Sequence, residues 1–137
     1  GAHRDLHSFP TRRSSDLADI VCTVTNAAEP VLKGAWLKPG AFVAAIGAPR
    51  PAWRELDDEA MRNVVVADFR ESAEKESGDV MLSGAKVYAE IGEILAGTKP
   101  PPPAGATVIF KALGQAVEDA VAARLVYDAA RATGPSP

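Results

Sequence analysis

Histidine is absent from almost all of this chain. The two present, His3 and His7, both fall within residues 1–17. Beyond Leu17 there is no imidazole for general-base chemistry or for building a zinc or iron site. Cysteine occurs once, as Cys22, so no disulfide can close within one chain. Cys22 lies in an apolar run, where a lone thiol is expected to be buried packing. Such sparing use of cysteine fits a reducing compartment, and a cytoplasmic location is expected. No apolar run approaches the length that spans a bilayer, so no membrane partner is expected. No G-x-G-x-x-G follows any strand-like run. The glycine-rich turn that would present backbone amides to a pyrophosphate is therefore missing from these residues.

Residues 1–17 differ in character from the rest. His7-Ser8-Phe9-Pro10-Thr11-Arg12-Arg13-Ser14-Ser15-Asp16-Leu17 matches one reading frame of a common sequencing-adapter oligonucleotide. The stretch has no hydrophobic core for a signal peptide, although its Arg and Ser content mimics a transit peptide. It is expected to be non-native and disordered and is set aside. Removing its three basic and two acidic residues from totals of 15 and 18 leaves 12 and 16. A mildly acidic remainder argues against nucleic acid as a partner. Its length is that of one domain.

The rest alternates short apolar runs with polar, helix-like stretches, an α/β pattern. Ile20-Val21-Cys22-Thr23-Val24-Thr25 and Ala41-Phe42-Val43-Ala44-Ala45-Ile46-Gly47 read as strands buried on both faces of a parallel sheet. Residues 32–37 suggest a helical turn. Asp57 should cap a short helix running to about Arg62. Residues 64–67 form a third strand, and residues 70–76 a polar helix. Asp79 is expected to cap the segment after it. Residues 87–95 read as a helix closed by Gly97. Lys99-Pro100-Pro101-Pro102-Pro103-Ala104-Gly105 is a stiff spacer. Residues 107–110 make a fourth strand. Residues 115–132 form the longest helix, with Val117, Val121, Leu125 and Ala129 on one stripe. Residues 133–137 are a disordered tail.

The informative points are where the strands stop. Ligands in open α/β sheets sit outside the carboxyl ends of the strands. Val24-Thr25, Ile46-Gly47 and Leu113-Gly114 all stand there. From periodicity alone, strand packing and tight turns are the readier explanation of the same residues. Arg50 could hold a carboxylate in a bidentate fork or simply be solvated. Trp53 is expected to pack rather than wall a pocket. Glu76 reads as an exposed carboxylate at a helix end. Glu118 and Asp119 are adjacent and point apart, so they read as first-turn charges favouring the helix dipole.

The ordered set Ile20 to Thr25, Ala41 to Gly47, Ala48-Pro49-Arg50-Pro51-Ala52-Trp53-Arg54-Glu55-Leu56-Asp57-Asp58-Glu59, Lys75-Glu76-Ser77-Gly78-Asp79-Val80 and Phe110-Lys111-Ala112-Leu113-Gly114-Gln115-Ala116-Val117-Glu118-Asp119 resembles the ornithine cyclodeaminase/mu-crystallin family. The resemblance covers residues 18–131. It implies the C-terminal half of a Rossmann-like doubly wound sheet, residues 18–106. A strand and helix, 107–132, would then return to a substrate and dimerisation domain. It implies NADPH or NADH as cofactor, with Val24, Thr25, Ile46, Gly47 and Leu113 on the nicotinamide side. It places Pro49, Arg50 and Glu76 on the substrate side and leaves the catalytic residues upstream. The implied substrate is a small imino or amino acid, and the full-length protein would be a homodimer. The implied activity is reduction of C=N bonds in ketimines or cyclic imino acids, in a fragment that is itself inactive. Related cyclodeaminases carry aspartate where this chain has Pro49, and other members carry serine. Proline offers no charge, hydroxyl or backbone donor. Cyclodeaminase or alanine dehydrogenase chemistry is thereby weakened, and imine reduction or simple binding of an iodothyronine-like ligand survives.

Overall fold

The computed structural model describes residues 18–133. Residues 1–17 and 134–137, and the disorder expected of them, lie outside the described residues.

Five short strands form one parallel sheet: β1 (Ile20–Thr23), β2 (Phe42–Ala45), β3 (Val64–Ala67), β4 (Val87–Glu90) and β5 (Val108–Lys111). Their spatial order is β1-β2-β5-β3-β4. The helices are α1 (Asp58–Met61), α2 (Arg70–Glu76), α3 (Gly78–Ser83), α4 (Ile91–Leu95) and α5 (Ala116–Thr133), with a 3-10 turn at Gly34–Trp36.

Alternation along the strands decides what is covered. Val43, Ala45, Val65, Ala67 and Ile109 point to one face and are almost fully buried. They meet Leu32, Leu56, Ala60, Met61, Ala73 and Val80 from the helical layer and its loops. Fully burying a Val or Ile side chain contributes about 1.5–3 kcal/mol. The opposite face is only partly covered. There Phe42, Val66, Val108 and Phe110 line an apolar cleft of about 430 Å³, closed on one side by Ile91, Ile94, Pro102 and Pro103. β1 and β2 are thus buried on one face rather than two, and Ile20 remains two-thirds exposed. Cys22 is exposed on that face, not buried as expected.

Two further expectations change. Residues 87–95 are not one helix: β4 comes first and α4 follows. Val87 and Ala89 are buried while Tyr88 is exposed, the period of a strand. The spacing of Val87, Ile91 and Ile94 imitates a helix only because a strand and a helix are joined there. The strand at residues 107–110 does not leave for another domain. β5 sits between β2 and β3 in register, with Phe42 and Val64 both opposite Val108. The chain departs from the sheet only after Ala112.

Local signals held elsewhere. Asp57 accepts from Ala60 N at 2.9 Å and caps α1. α4 opens with a capping box between Glu90 and Glu93. The Glu90 backbone N–H holds the Glu93 carboxyl below its ordinary range, and Arg70 adds to this against the opposing effect of desolvation. α5 shows its expected stripe, but Val117, Val121 and Leu125 are all exposed.

Candidate functional site

Parallel pairing aligns Thr23 with Ala45 and Ala45 with Lys111. The chain therefore leaves β1, β2 and β5 side by side. Val24-Thr25, Ile46-Gly47 and Leu113-Gly114 emerge along one edge, where ligands of open α/β sheets sit. Val24 and Ile46 are exposed there, Thr25 and Leu113 are half-buried, and Gly47 is buried. Asp68, just past β3, fixes the third loop. Its Oδ2 accepts from Leu113 N and Gly114 N, each at 2.8 Å.

Beneath this edge lies a charged network that sequence reasoning missed. The Glu55 carboxylate accepts from Thr23 Oγ1 at 2.7 Å and Gly47 N at 2.9 Å through Oε2. Its Oε1 accepts from Thr25 N at 2.5 Å. Asp79 Oδ1 accepts from the backbone N–H of Glu55 and Leu56 at 2.7 and 2.9 Å. Asp79 Oδ2 faces Lys111 Nζ at 3.1 Å as an ion pair, without a well-directed hydrogen bond. Lys111 Nζ donates instead to Gly47 O at 2.5 Å. Glu55, Asp79 and Lys111 have no solvent exposure. Asp79 is therefore not a helix cap, as expected from its position after Ser77-Gly78, but the hub of a buried network. One signal was available: Lys111 shares the inward face of β5 with Ile109, and lysine is almost never fully buried unless paired.

Gly47 is a glycine for packing. A Cβ there would overlap Thr25 O, Thr25 N and Glu55 Oε1. Ala48, next in line, takes a left-handed φ of 49° while fully buried, a conformation that persists only where its surroundings impose it.

The following loop carries the substrate-side candidates. Pro49 and Arg50 are exposed. The Arg50 guanidinium stacks over Trp53, 4.3 Å from its ring centre. Arg50 O accepts from Trp53 N at 3.0 Å and Gly78 N at 3.1 Å. A Cβ on Gly78 would overlap Trp53 O. The loop is thus seated on the start of α3, and Glu76, exposed at the end of α2, lies two residues from that contact. Trp53 is half-buried and serves as the platform for Arg50. Glu118 and Asp119 occupy the first turn of α5, as expected. Among the described residues, no group of three or more His, Cys, Asp or Glu side chains could hold a metal ion.

A parallel sheet with helices and a loop cluster at its carboxyl edge defines part of a Rossmann-type α/β domain. The chain belongs to the ornithine cyclodeaminase/mu-crystallin family, whose model matches residues 10–134. Ketimine reductase mu-crystallin of Mus musculus is 60% identical over 112 residues, covering 81% of this chain and 36% of that relative. The structure of Thermococcus litoralis Δ1-pyrroline-2-carboxylate reductase in complex with NADH and L-proline is similar with a TM-score of 0.81. It is 33% identical and is matched over 93% of this chain and 43% of that one. An archaeal alanine dehydrogenase dimer with bound NAD is similar with a TM-score of 0.78 at 30% identity, over 93% of this chain and 42% of that one. The chain thus spans little more than a third of the mouse relative's length.

Proposed function

We propose that this chain forms the nicotinamide-side wall of an NAD(P)H-dependent reductase acting on C=N bonds of ketimines or cyclic imino acids. The observation that carries this is the side-by-side emergence of the loops after β1, β2 and β5. The neighbour of similar fold that holds NADH and L-proline adds support. The strand-end residues fit one end of a dinucleotide: apolar Val24 and Ile46 are exposed, and Leu113 is half-buried beside them. A bound dinucleotide supplies the hydride.

The chain's own residues then orient and exclude. Val24, Thr25, Ile46 and Leu113 face the nicotinamide and keep water out, and Gly47 supports them from within. Arg50, held flat on Trp53, takes the substrate carboxylate. Glu76 pairs with the substrate nitrogen when that nitrogen carries a charge. Pro49 handles no proton. Positioning donor and acceptor carbons is the main contribution of such a site. α5, with its exposed apolar stripe, packs on a second domain or a second copy in a full-length homodimer; the alanine dehydrogenase neighbour is a dimer. The proposed location is the cytoplasm; none of the described helices is long and apolar enough to cross a membrane.

The test is a full-length polypeptide containing this segment, incubated with NADPH and Δ1-pyrroline-2-carboxylate or a cyclic ketimine. Loss of nicotinamide absorbance is expected. A second reading, a binder of a small aromatic ligand beside NADPH without turnover, draws on Pro49, which brings no acid or base to the site. Dinucleotide binding with no absorbance loss across several cyclic imines would favour it. Ammonia release from ornithine or alanine with NAD would instead point to cyclodeaminase or alanine dehydrogenase activity.

A further inference from the structure

We infer that Glu55 and Lys111 are positioning residues: a buried brace that grips Gly47 by its backbone N–H and C=O and so fixes the spacing of the β1 and β2 ends. The inference rests on the nicotinamide-side role proposed above. Glu55 holds Gly47 N and Thr25 N, while Lys111 holds Gly47 O. Asp79 completes the brace by anchoring the Glu55 backbone and facing Lys111. Three charged side chains are costly to bury, and well-packed apolar residues would serve a core as well or better. Backbone bonds already join the two strand ends, Ile46 N and Gly47 N to Thr23 O at 2.9 and 3.3 Å and Ala48 N to Thr25 O at 2.8 Å. The cluster adds directed hydrogen bonds to the Thr25 amide and to Gly47 O, and a shorter second acceptor for Gly47 N. Those ends carry Thr25 and Ile46. Neither Glu55 nor Lys111 has any exposed surface, so they act through the backbone they hold.

Glu55→Gln tests this in the full-length protein. It keeps the volume but turns one acceptor oxygen into a donor facing the Thr25 or Gly47 N–H. NADPH affinity, read by fluorescence titration, should stay within about threefold, while the single-turnover rate of nicotinamide oxidation falls about 10–100-fold, the scale of a small misplacement. The deuterium isotope effect from labelled NADPH should rise. Thr23→Val should follow in the same direction, and Thr23→Ser, which keeps the hydroxyl, should restore the rate. An unchanged rate per bound NADPH in folded Glu55→Gln overturns the proposal. If that variant does not fold, Thr23→Val decides by the same readouts. Should the wild type bind NADPH yet reduce no imine, the proposed activity fails by itself. The brace is then judged by amide exchange: the Thr25 and Gly47 N–H should exchange at least about tenfold faster in Glu55→Gln, and equal exchange overturns it.

Discussion

Lys111 Nζ lies 3.1 Å from Asp79 Oδ2 with neither side chain reaching solvent, and the pair ties the end of β5 to the first turn of α3. Removing one partner of such a pair leaves an uncompensated buried charge. Lys111→Met should therefore cost about 3–5 kcal/mol. Asp79→Asn keeps the Oδ1 acceptor for the Glu55 and Leu56 amides. The double variant should be less destabilised than the two single effects added together, by a coupling of about 1–3 kcal/mol in urea unfolding. Strict additivity would show that the pair is not coupled.

Gly47→Ala forces a methyl against Thr25 and Glu55 without relief from a flexible neighbour. A loss of about 1–3 kcal/mol or more is expected from such overpacking. Gly84 is the informative contrast, since open space surrounds it but its φ is +68°. Gly84→Ala should cost about 1–2 kcal/mol through the left-handed conformation alone. Thermal denaturation with amide exchange separates the two, because only Gly47→Ala should loosen the Thr25 amide.

Asp57 serves two amides through one oxygen, Ala60 N at the start of α1 and Gly34 N in the 3-10 turn, each at 2.9 Å. Asp57→Ala should lower stability by about 1–2 kcal/mol, the upper part of the range for a helix cap. Asp57→Asn should recover most of it. Equal losses in both variants would exclude a capping role.

Glu93 sets a pH dependence. Its folded pKa lies below the ordinary value of 4.5, first because Glu90 N–H donates to it and also because of Arg70. A depressed folded pKa means the stabilisation is fully present above the unfolded pKa. It is lost as pH falls from about that value through the folded one. The melting temperature should therefore drop on acidification in that window, and less so in Glu93→Gln. Identical pH profiles for the two proteins would remove Glu93 from the account.

The 137-residue chain itself should show no micromolar NADPH binding by calorimetry. The strand ends proposed to meet the nicotinamide come without a G-x-G-x-x-G turn for the phosphates in this sequence. Its half-covered sheet face, with Phe42 and Phe110 in an open apolar cleft, and its β1 edge should favour association at high concentration. Tight binding by this chain alone would refute the division of the site.

Local pattern was enough for the α/β class, for β3, for the Asp57 cap and for α2, because each rests on neighbours a few residues apart. The candidate loops after β1, β2 and β5 could also be picked out, since strand-like runs stop there at small or hydroxylated residues. It failed at residues 87–95, where a strand abutting a helix copied helical spacing.

Contacts between distant parts of the chain decided the rest. β5 follows the proline segment yet lies at the middle of the sheet, because its strand pairs with β2 and β3 rather than with anything adjacent in sequence. Glu55 and Asp79 look like ordinary surface charges when read along the chain, and only the place of Lys111 on the inward face of β5 hints otherwise. The three become a single buried network only when three strand ends and a loop converge, and burial makes their hydrogen bonds obligatory.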